Sequence, residues 1–358
     1  MSENYDLKSA AKTTMAAPVF QYQPPAPKGP VPKIGLIGCG GITSHHLQAY
    51  RDAGWEVAAF FDPNSEAAEK RRAEYFPNAS LRATADEIFK DPSIGVVDIA
   101  THPKAREELI LRATDAGKHI LSQKPFAVDL PTAERLAAHA RARGVRLAVN
   151  QNGRWAPYFA YMRQAVKSGL IGDIGSVHMV LNWDHTWTAG TPFADIHHLM
   201  FYDFGIHWFD AARTLMHGQT ATSVSARLAR FPNQPIEPPL LASATVNFPK
   251  GMATLAFNGC SRFGANESCT VIGSKGTLSA SGPLCGIPKV AIHTTEGEAV
   301  AELEGAWFPD GFRGCMGELL LAIEENREPE NSAADNIRSM AIVLAAMRSA
   351  DEDRPVLL

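Results

Sequence analysis

The sequence predicts an α/β domain followed by an α+β domain. From Val31 onward, short β-rich runs alternate with helical stretches, which is typical of a parallel sheet covered by helices. After about Asn152, strands follow one another without intervening helices, which predicts a mostly antiparallel sheet. The length of 358 residues also exceeds the usual span of a single core, so we expect two domains.

Three segments follow from these patterns. Residues 1–30 end in "QYQPPAPKGPVP", whose prolines favour extended backbone, so we predict an extended N-terminal arm. The first domain is predicted to cover residues 31–152 and the second residues 153–358. We find no internal repeat.

The first domain contains five predicted strands, "KIGLIG", "EVAAFFD", "GVVDIAT", "HILSQ" and "VRLAVN". Two amphipathic helices between them close near Gly54 and Gly117, because glycine often follows a helix C-terminus. The stretch "TADEIF" predicts a capping box, in which Thr84 caps the helix and Glu87 reaches back.

The second domain is predicted to begin with the helix "APYFAYMRQAVKSG" and the strand "GSVHMVLNW". A long irregular segment then leads to a helix that contains "YDFGIHWFD", residues 202–210. Alternating runs such as "ASATVNF", "GMATLAF" and "ESCTVIG" predict the antiparallel sheet, and "GSKGTLSAS" predicts a hairpin in which Gly273 and Gly276 are free to take positive φ. Two final helices are predicted at 312–326 and 335–349.

Composition disfavours several partners. The net charge of -4 comes from 34 basic and 38 acidic residues without a dense Lys/Arg run, so we expect no nucleic-acid partner. The five cysteines are odd in number, far apart and without CxxC spacing, which fits a reducing cytoplasm better than a disulfide framework or a zinc ribbon. No apolar run approaches the roughly 20 residues of a membrane span, so we predict a cytoplasmic protein without a membrane partner.

A glycine-rich turn follows the first strand. "KIGLIGCGGIT" places Gly38 and Gly40 at the start of a helix, where the backbone can approach a pyrophosphate. Thr43 stands at the third glycine position of the dinucleotide fingerprint, but Asp62 ends the next strand about 20 residues on. Its carboxylate can accept hydrogen bonds from an adenosine ribose and repel a 2′-phosphate. The sequence therefore predicts a Rossmann domain that binds NAD in preference to NADP.

The predicted cofactor contacts extend beyond this turn. The "THP" loop follows the fourth strand, where a βα loop should meet the nicotinamide. The full set of predicted cofactor-binding residues is Gly38, Gly40, Gly41, Ile42, Asp62, Thr101, His102, Pro103, Lys124 and Gln151. A glycine turn in another doubly wound fold, with Asp62 as a helix cap, is the alternative. We interpret His45 and His46 as packing or surface residues.

Three residues are candidates for the chemistry. Lys124 precedes Pro125 at the end of a strand, and ligands of open α/β folds bind at that carboxyl edge. Asp203 and His207 are four residues apart on a predicted helix, so both side chains can point toward one pocket. A structural hydrogen bond between domains is the alternative for that pair.

Several motifs resemble the glucose-fructose oxidoreductase, inositol dehydrogenase and rhizopine catabolism (Gfo/Idh/MocA) family. They are "GLIGCGGI", "AGKHILSQKPFA", "NQNGRWAP", "YDFGIHWFD" and the C-terminal run from "DGFRG" to "AMRSA". The resemblance implies an NAD(P)-dependent oxidoreductase that acts on sugars or cyclitols. It also implies a second domain that binds substrate and builds homodimers or homotetramers.

The same resemblance matches Lys124 to the lysine of the family's Glu-Lys-Pro motif, and Asp203 and His207 to its active-site pair. Gln123 stands where the family usually has glutamate, and "HHLMFY" replaces a glycine-rich approach to Asp203. We expect His207 to act as the base, since imidazole suits proton transfer near neutral pH. Lys124 would stabilise the charge that develops on the substrate hydroxyl, and Asp203 would orient His207 or hold a neighbouring hydroxyl.

Two points of chemistry stay open. Lys124 is an alternative base, because burial and a neighbouring cation both lower the pKa of a lysine. Further substrate contacts are predicted from polar residues near tryptophans, and the predicted substrate-binding set is Lys124, Asn152, Arg154, Asp184, His185, Asp203 and His207. An ordinary domain-interface network is the alternative for the added residues. No compact His/Asp/Cys spacing predicts a metal site.

These observations give three hypotheses for function. The leading one is an NAD-dependent dehydrogenase that oxidises a secondary hydroxyl of a sugar, sugar derivative or inositol. The second is a glycosidase that keeps NAD bound, oxidises the sugar transiently and eliminates the aglycone. The third is a non-catalytic, nucleotide-sensing regulator.

Overall fold

The computed structural model describes residues 13–358 and contains two sheets. The first has six parallel strands in the order β3-β2-β1-β4-β5-β6. Its elements are β1 (Lys33–Ile37), α1 (Thr43–Asp52), β2 (Val57–Phe61), α2 (Ser65–Tyr75), β3 (Ser80–Leu81), α3 (Ala85–Lys90), β4 (Ile94–Ile99), α4 (Pro103–Asp115), β5 (His119–Ser122), α5 (Leu130–Ala142) and β6 (Leu147–Val149). All five predicted strands are confirmed, whereas the two-residue β3 was not predicted.

The strand order reverses at β1, which pairs with β2 on one side and with β4 on the other. In open parallel sheets such a point leaves a crevice beyond the carboxyl ends of the strands, and ligands bind there. The glycine-rich turn follows β1 and the "THP" loop follows β4. Both therefore border the same crevice.

The helix ends agree only in part with the sequence analysis. Gly54 and Gly117 have φ values of 72° and 71° and follow α1 and α4, as predicted. Thr84 precedes α3, but its side chain bonds no backbone N–H. Its Oγ1 lies 3.3 Å from Glu87 Oε1 instead. The predicted capping box is therefore wrong, because the two side chains pair with each other.

The second sheet has nine strands in the order β14-β13-β12-β11-β7-β10-β9-β8-β15. It is antiparallel except for the parallel pair β7 and β10. The strands are β7 (Ile174–Asn182), β8 (Ser223–Ala229), β9 (Leu241–Phe248), β10 (Gly251–Asn258), β11 (Asn266–Gly273), β12 (Gly276–Gly282), β13 (Lys289–Thr294), β14 (Glu298–Glu302) and β15 (Val356–Leu357). The helices are α6 (Pro157–Lys167), α7 (Ile206–Leu215), α8 (Trp307–Glu324) and α9 (Ala333–Glu352).

The predicted hairpin joins β11 to β12, and Gly273 pairs with Gly276 across it. Neither glycine has a positive φ, so that part of the prediction is wrong. A Cβ at Gly273 would collide with the carbonyl oxygen of Ile171, and one at Gly276 with that of His293. Because both residues lack a side chain, the neighbouring main chains can approach them closely.

The last two helices connect the two sheets. α8 packs against α1 and against the short turn at residues 152–155, while α9 packs against α5, α7 and β8. The two sheets separate in sequence between β6 and β7, which agrees with two domains. The boundary at 152/153 stays a prediction, because α8 and α9 contact the first domain.

Residues 13–30 lie along the second domain and α8. The main chain of Met15 donates to the carbonyl of Glu298 at 2.9 Å, and the Tyr161 hydroxyl donates to the carbonyl of Pro18 at 2.7 Å. Near its end, Gly29 N donates to Glu324 Oε1 at 2.6 Å. The first twelve residues of the predicted arm lie outside the described residues. Within residues 13–358 no helix is long and apolar enough to cross a membrane.

Candidate active site

Lys124 and Asp203 meet at the junction of the two domains. The Lys124 ammonium lies 3.0 Å from Asp203 Oδ1 and 2.8 Å from the Asp203 carbonyl oxygen. The side chains are 16% and 21% exposed, so they are sheltered but reachable. Lys124 comes from the loop after β5 and forms a cis peptide with Pro125. The structure thus unites two of the three predicted catalytic residues in an ion pair.

The segment that carries Asp203 is a π-helical turn, Met200–Gly205, which continues directly into α7. The prediction of one α-helix across residues 202–210 is therefore wrong. Single π-turns inside helices frequently occur at functional sites. Gly205 is the last residue of this turn, and a Cβ added there would lie 3.2 Å from the ring of Phe257. Periodicity could not reveal the turn, because the apolar spacing of the segment suits an ordinary helix.

His207 lies at the start of α7 with its Nδ1 buried and without a hydrogen-bond partner among residues 13–358. Nε2 is therefore the ring nitrogen that can meet a substrate. Burial, and then the Lys124 cation, hold the pKa of His207 well below its usual value, and Asp210 opposes this shift. The imidazole is consequently a free base at neutral pH. The Asp203 carboxylate bonds Lys124, and the described part of the chain shows no hydrogen bond from it to His207.

His185 is a second imidazole near this site. It is 3% exposed, and neither ring nitrogen has a hydrogen-bond partner within the described residues. Burial first, partly opposed by the Asp203 charge and reinforced by Lys124, lowers the pKa of His185 to about 4. Its ring packs against Trp183 and Phe204 at centroid distances of 5.4 and 4.7 Å. A buried, unpaired imidazole beside the catalytic candidates is consistent with the predicted substrate contact.

Asp184 bonds residues outside the group formed by Lys124, Asp203 and His207. Its Oδ1 accepts hydrogen bonds from the main chain and the hydroxyl of Thr186 at 3.0 and 2.5 Å. Its Oδ2 lies 3.7 Å from Arg262. These bonds lower the pKa of Asp184, the Thr186 hydroxyl contributing most. They shape the loop after β7, so the predicted substrate contact of Asp184 has no direct geometric support.

The side chains of Asn152 and Arg154 are buried and bond other groups of the protein. Asn152 Oδ1 accepts from Trp307 Nε1 at 2.9 Å. Arg154 is 3% exposed and donates twice to Asp210, at 2.7 Å each, and once to Asp335 at 2.5 Å. Its fork is therefore filled by two carboxylates. These contacts agree with the interface network, which is the alternative for Arg154, and its predicted substrate contact stays a prediction.

The glycine-rich turn has room for a phosphate. Gly38 has φ 92°, and a Cβ there would be 2.7 Å from the Ala100 carbonyl oxygen, so only glycine fits. Nothing lies within 4 Å of a Cβ at Gly40 or Gly41, and both residues are exposed. Ile42, also exposed, directly precedes α1. The turn therefore leaves open space around Gly40 and Gly41 at a helix N-terminus, which suits a pyrophosphate.

Asp62 follows β2 beside this turn. Its Oδ2 accepts from Cys39 N at 2.7 Å and its Oδ1 from Asn64 N at 2.8 Å. The carboxylate is thus fixed at the rim of the crevice, and it is only partly buried. This placement agrees with a ribose contact, while the bond to Asn64 also orders the start of α2.

The remaining predicted cofactor residues border the same crevice. Thr101 and His102 lie between β4 and α4, and Pro103 is the first residue of α4. Thr101 Oγ1 is buried and has no hydrogen-bond partner in residues 13–358, so it is free to meet a ligand. Gln151 Nε2 donates to the carbonyl of Ile206 at 2.9 Å. Gln151 therefore ties the end of the first domain to the helix that carries His207.

Sequence reasoning missed Arg106, which organises the main chain around Lys124. Its guanidinium is buried and donates to the carbonyl oxygens of Thr101, Gln123, Pro125 and Phe126. Burial lowers the pKa of Arg106 to about 9, although arginine side chains stay protonated in proteins. In the sequence it reads as one more charge on an amphipathic helix, and no local pattern marks it.

One cluster of potential metal ligands occurs among the described residues. His197, His198 and Asp351 bring one ligand atom each within 4.8 Å of the others, and His198 Nε2 lies 2.8 Å from Asp351 Oδ1. Asp351 is distant in sequence, so local spacing could not reveal the cluster. It includes none of the predicted catalytic residues, and the absence of a catalytic metal stays a prediction.

Comparison with known proteins identifies the family of the chain. Residues 32–151 match the model of an oxidoreductase family with an NAD-binding Rossmann fold, and residues 159–279 match the GFO/IDH/MocA C-terminal domain. D-apiose dehydrogenase from Paraburkholderia graminis is 28% identical over 343 residues, covering 91% of this chain and 89% of that protein. Inositol 2-dehydrogenase from Rhizobium meliloti is 28% identical over 343 residues, covering 90% and 98%.

A solved structure extends the likeness to the fold. A putative myo-inositol dehydrogenase from Sinorhizobium meliloti superposes with a TM-score of 0.77 at 26% identity, covering 91% of this chain and 99% of that chain. These relatives are named as dehydrogenases, which gives no support to the glycosidase alternative or to a non-catalytic regulator. The chain belongs to the GFO/IDH/MocA family of oxidoreductases, whose N-terminal domain is an NAD-binding Rossmann fold.

Proposed function

We propose that this dehydrogenase oxidises a secondary hydroxyl of a sugar, sugar derivative or inositol at the site formed by Lys124, Asp203 and His207. The observation that carries the proposal is the pairing of Lys124 with Asp203 beside an unprotonated His207. Relatives named D-apiose dehydrogenase and inositol 2-dehydrogenase support a polyhydroxylated substrate.

The residues would divide the work as follows. His207 Nε2 accepts the hydroxyl proton, because its ring is a free base at neutral pH. Lys124 donates a hydrogen bond to the same oxygen and stabilises its developing negative charge. Asp203 holds the ammonium in place through Oδ1 and its carbonyl. When bound, NAD supplies the acceptor for the hydride.

The cofactor would lie along the carboxyl edge of the six-stranded sheet. Gly40 and Gly41 offer open space for its pyrophosphate, Gly38 makes the tight turn before them, and Asp62 suits the adenosine ribose. A carboxylate at that position disfavours the 2′-phosphate of NADP. Thr101, with its free hydroxyl, and Gln151 are the candidates for the nicotinamide end.

A homo-oligomer through the nine-stranded sheet is a further part of the proposal. Helices α6, α7 and α9 pack on strands of this sheet. Val180, Met252, Ile272 and Val300 are apolar residues on four of its strands, and each is at least 41% exposed. A second copy would cover this apolar surface. Light scattering of wild type and of Met252→Glu would test this, because a charge at that position should shift the mass toward the monomer.

Location in the cytoplasm without nucleic-acid or membrane partners stays our prediction. All five cysteines are free, which is typical of a reducing compartment.

The main experiment is a screen of monosaccharides, disaccharides and inositols with NAD and with NADP, following the absorbance of the reduced cofactor. We expect net NADH formation with at least one polyol and weaker activity with NADP. Lys124→Ala and His207→Ala should each lower kcat on the best substrate by about 100-fold or more. The exposed residues Lys70 and His217 provide matched controls, and their alanine variants should retain activity.

Two results would contradict the proposal, and a third would reassign the base. Catalytic variants that match wild type would refute the role assignments. Turnover of a glycoside without net NADH would favour the glycosidase. A residual rate in His207→Ala that exceeds the rate in Lys124→Ala by a wide margin would favour Lys124 as the base.

A further inference from the structure

A buried network links the main chain of Lys124 to helix α1. Gln123 is buried, and its Oε1 accepts from Lys124 N at 2.7 Å, while its Nε2 lies 3.1 Å from His46 Nε2. His46 has no exposed surface, and its Nδ1 lies 2.7 Å from Asp98 Oδ2. Three side chains therefore connect the loop after β5 to strand β4.

The hydrogen-bond partners fix where the protons lie. The backbone N–H of Lys124 can only donate, so the Gln123 atom that faces it must be the carbonyl oxygen. The Gln123 amide nitrogen then faces His46 Nε2 and donates to it. A ring nitrogen that accepts carries no proton, so the His46 proton lies on Nδ1 and is donated to Asp98.

Other contacts support this arrangement. Asn150 Nδ2 also lies 3.0 Å from His46 Nε2, so two amide groups face this ring nitrogen. The Tyr50 hydroxyl donates to Asp98 Oδ2 at 2.7 Å. The titratable and charged groups around the network are Asp98 on β4, His45 and Tyr50 on α1, Arg106 on α4 and Cys315 on α8.

The network bonds the same stretch of main chain around Lys124 that Arg106 bonds. Arg106 binds the carbonyl oxygens before and after Lys124, and Gln123 binds its N–H. The backbone of Lys124 is thereby fixed by both its donor and its neighbouring acceptors. Its side chain then extends to Asp203, with Nζ at 3.0 Å from Oδ1.

We propose that Gln123 is a positioning residue for Lys124: its amide bonds the Lys124 main chain to the Nδ1–H tautomer of His46. The inference rests on the proposed function, in which Lys124 meets the substrate hydroxyl. Position 123 requires an acceptor at one atom and a donor at the other, and an amide supplies both without a change of protonation.

The first test locates the proton without relying on activity. In protein with ring-¹⁵N histidine, the NMR spectrum should show His46 with one proton, on Nδ1, and the spectrum of His46→Gln assigns the signal. Gln123→Glu keeps the acceptor for Lys124 N but turns a second oxygen toward His46 Nε2. That contact becomes favourable only when the ring gains a second proton, so near pH 6 the variant should show both nitrogens protonated. An Nε2–H tautomer in wild type would overturn the proposal, as would an unchanged His46 signal in the variant.

The second test separates positioning from general stability. Relative to wild type at the same pH, kcat of Gln123→Glu should fall about tenfold or more near pH 8 and clearly less near pH 6, because acid supplies the second ring proton. KM for NAD should stay near the wild-type value. Gln48→Glu makes the same charge change on α1, the helix that carries His46, at a site where Gln48 bonds Asp52, and should leave kcat unchanged.

A compensating variant completes the design. Adding His46→Gln to Gln123→Glu places an amide donor opposite the new carboxylate, and activity near pH 8 should recover in part. An equal loss at every pH without recovery would assign Gln123 a structural role alone and refute the proposal. If wild type oxidises no polyol, the proposed function fails, whereas the NMR result still tests the network.

Discussion

Asp203 holds the Lys124 ammonium at two points, with its carboxylate Oδ1 at 3.0 Å and its own carbonyl oxygen at 2.8 Å. Asp203 lies in a π-helical turn, where the α-helical pattern of backbone hydrogen bonds is interrupted. The local backbone geometry and the ion pair thus serve the same purpose, which is to place one cation beside His207.

Asp203→Asn should lower kcat by about 10- to 100-fold with little change in KM for the polyol. The variant keeps the carbonyl contact but loses the charge that orients the Lys124 ammonium. Steady-state kinetics on the best substrate, with circular dichroism as a control for folding, would measure this. A rise in KM with unchanged kcat would instead indicate that Asp203 binds a neighbouring substrate hydroxyl.

The acid limb of the kcat/KM profile should fall well below pH 6.5. A base must be unprotonated, and burial together with the Lys124 cation holds the pKa of His207 far below its ordinary value. Rates measured from about pH 5 to pH 9 with saturating NAD would test this. An apparent pKa at or above 6.5 would contradict His207 as the base in this environment.

Stability should fall as the pH drops from about 6.5 toward 4. The pKa of His185 is about 4 in the folded protein and about 6.5 when unfolded, so the unfolded state binds more protons in this window. The loss reaches about 3 kcal/mol, and His207 adds to it with the same sign.

His185→Phe tests this dependence directly, because it keeps an aromatic ring between Trp183 and Phe204 and removes the titrating group. Urea unfolding at several pH values should show a smaller acid-induced loss than in wild type. His217→Phe, at an exposed site, is the matched control. Parallel curves for His185→Phe and wild type would refute the assignment.

Arg154→Met should destabilise the protein by about 3 kcal/mol or more, because Asp210 is buried and loses its bidentate partner. The folded variant should keep its KM for the polyol. Adding Asp210→Leu should restore part of the stability, since Arg213 and Asp335 still pair with each other. Full stability with a raised KM would return Arg154 to the substrate site.

The parts of the fold that depend on local pattern could be predicted. The five predicted strands of the first sheet, the turn at Gly38 and the position of Lys124 after β5 all follow from short stretches of sequence. Interactions between distant residues could not. Arg154 reads as a polar residue at a strand exit, and its partner Asp335 comes 181 residues later.

Dependence on distant residues also explains the other differences between the predictions and the structure. Gly273 and Gly276 read as turn residues, yet their role is set by main chain from Ile171 and His293. The π-helical turn before α7 leaves no mark on the apolar spacing. The donor and acceptor demands on Gln123 come from His46 and from its own neighbour, so the sequence alone shows only an amide beside a lysine.

The most direct test of the central claim compares crystal structures. One is the wild-type protein with NADH and the best polyol, and the other is His207→Ala or Lys124→Met with NAD and the same polyol. The wild-type complex should show one substrate hydroxyl within about 2.6–3.2 Å of both Lys124 Nζ and His207 Nε2. In each variant the substrate should keep its position while one of these contacts is lost. Two nitrogens that face different cavities, or a reacting hydroxyl bound to His185 instead, would contradict the account.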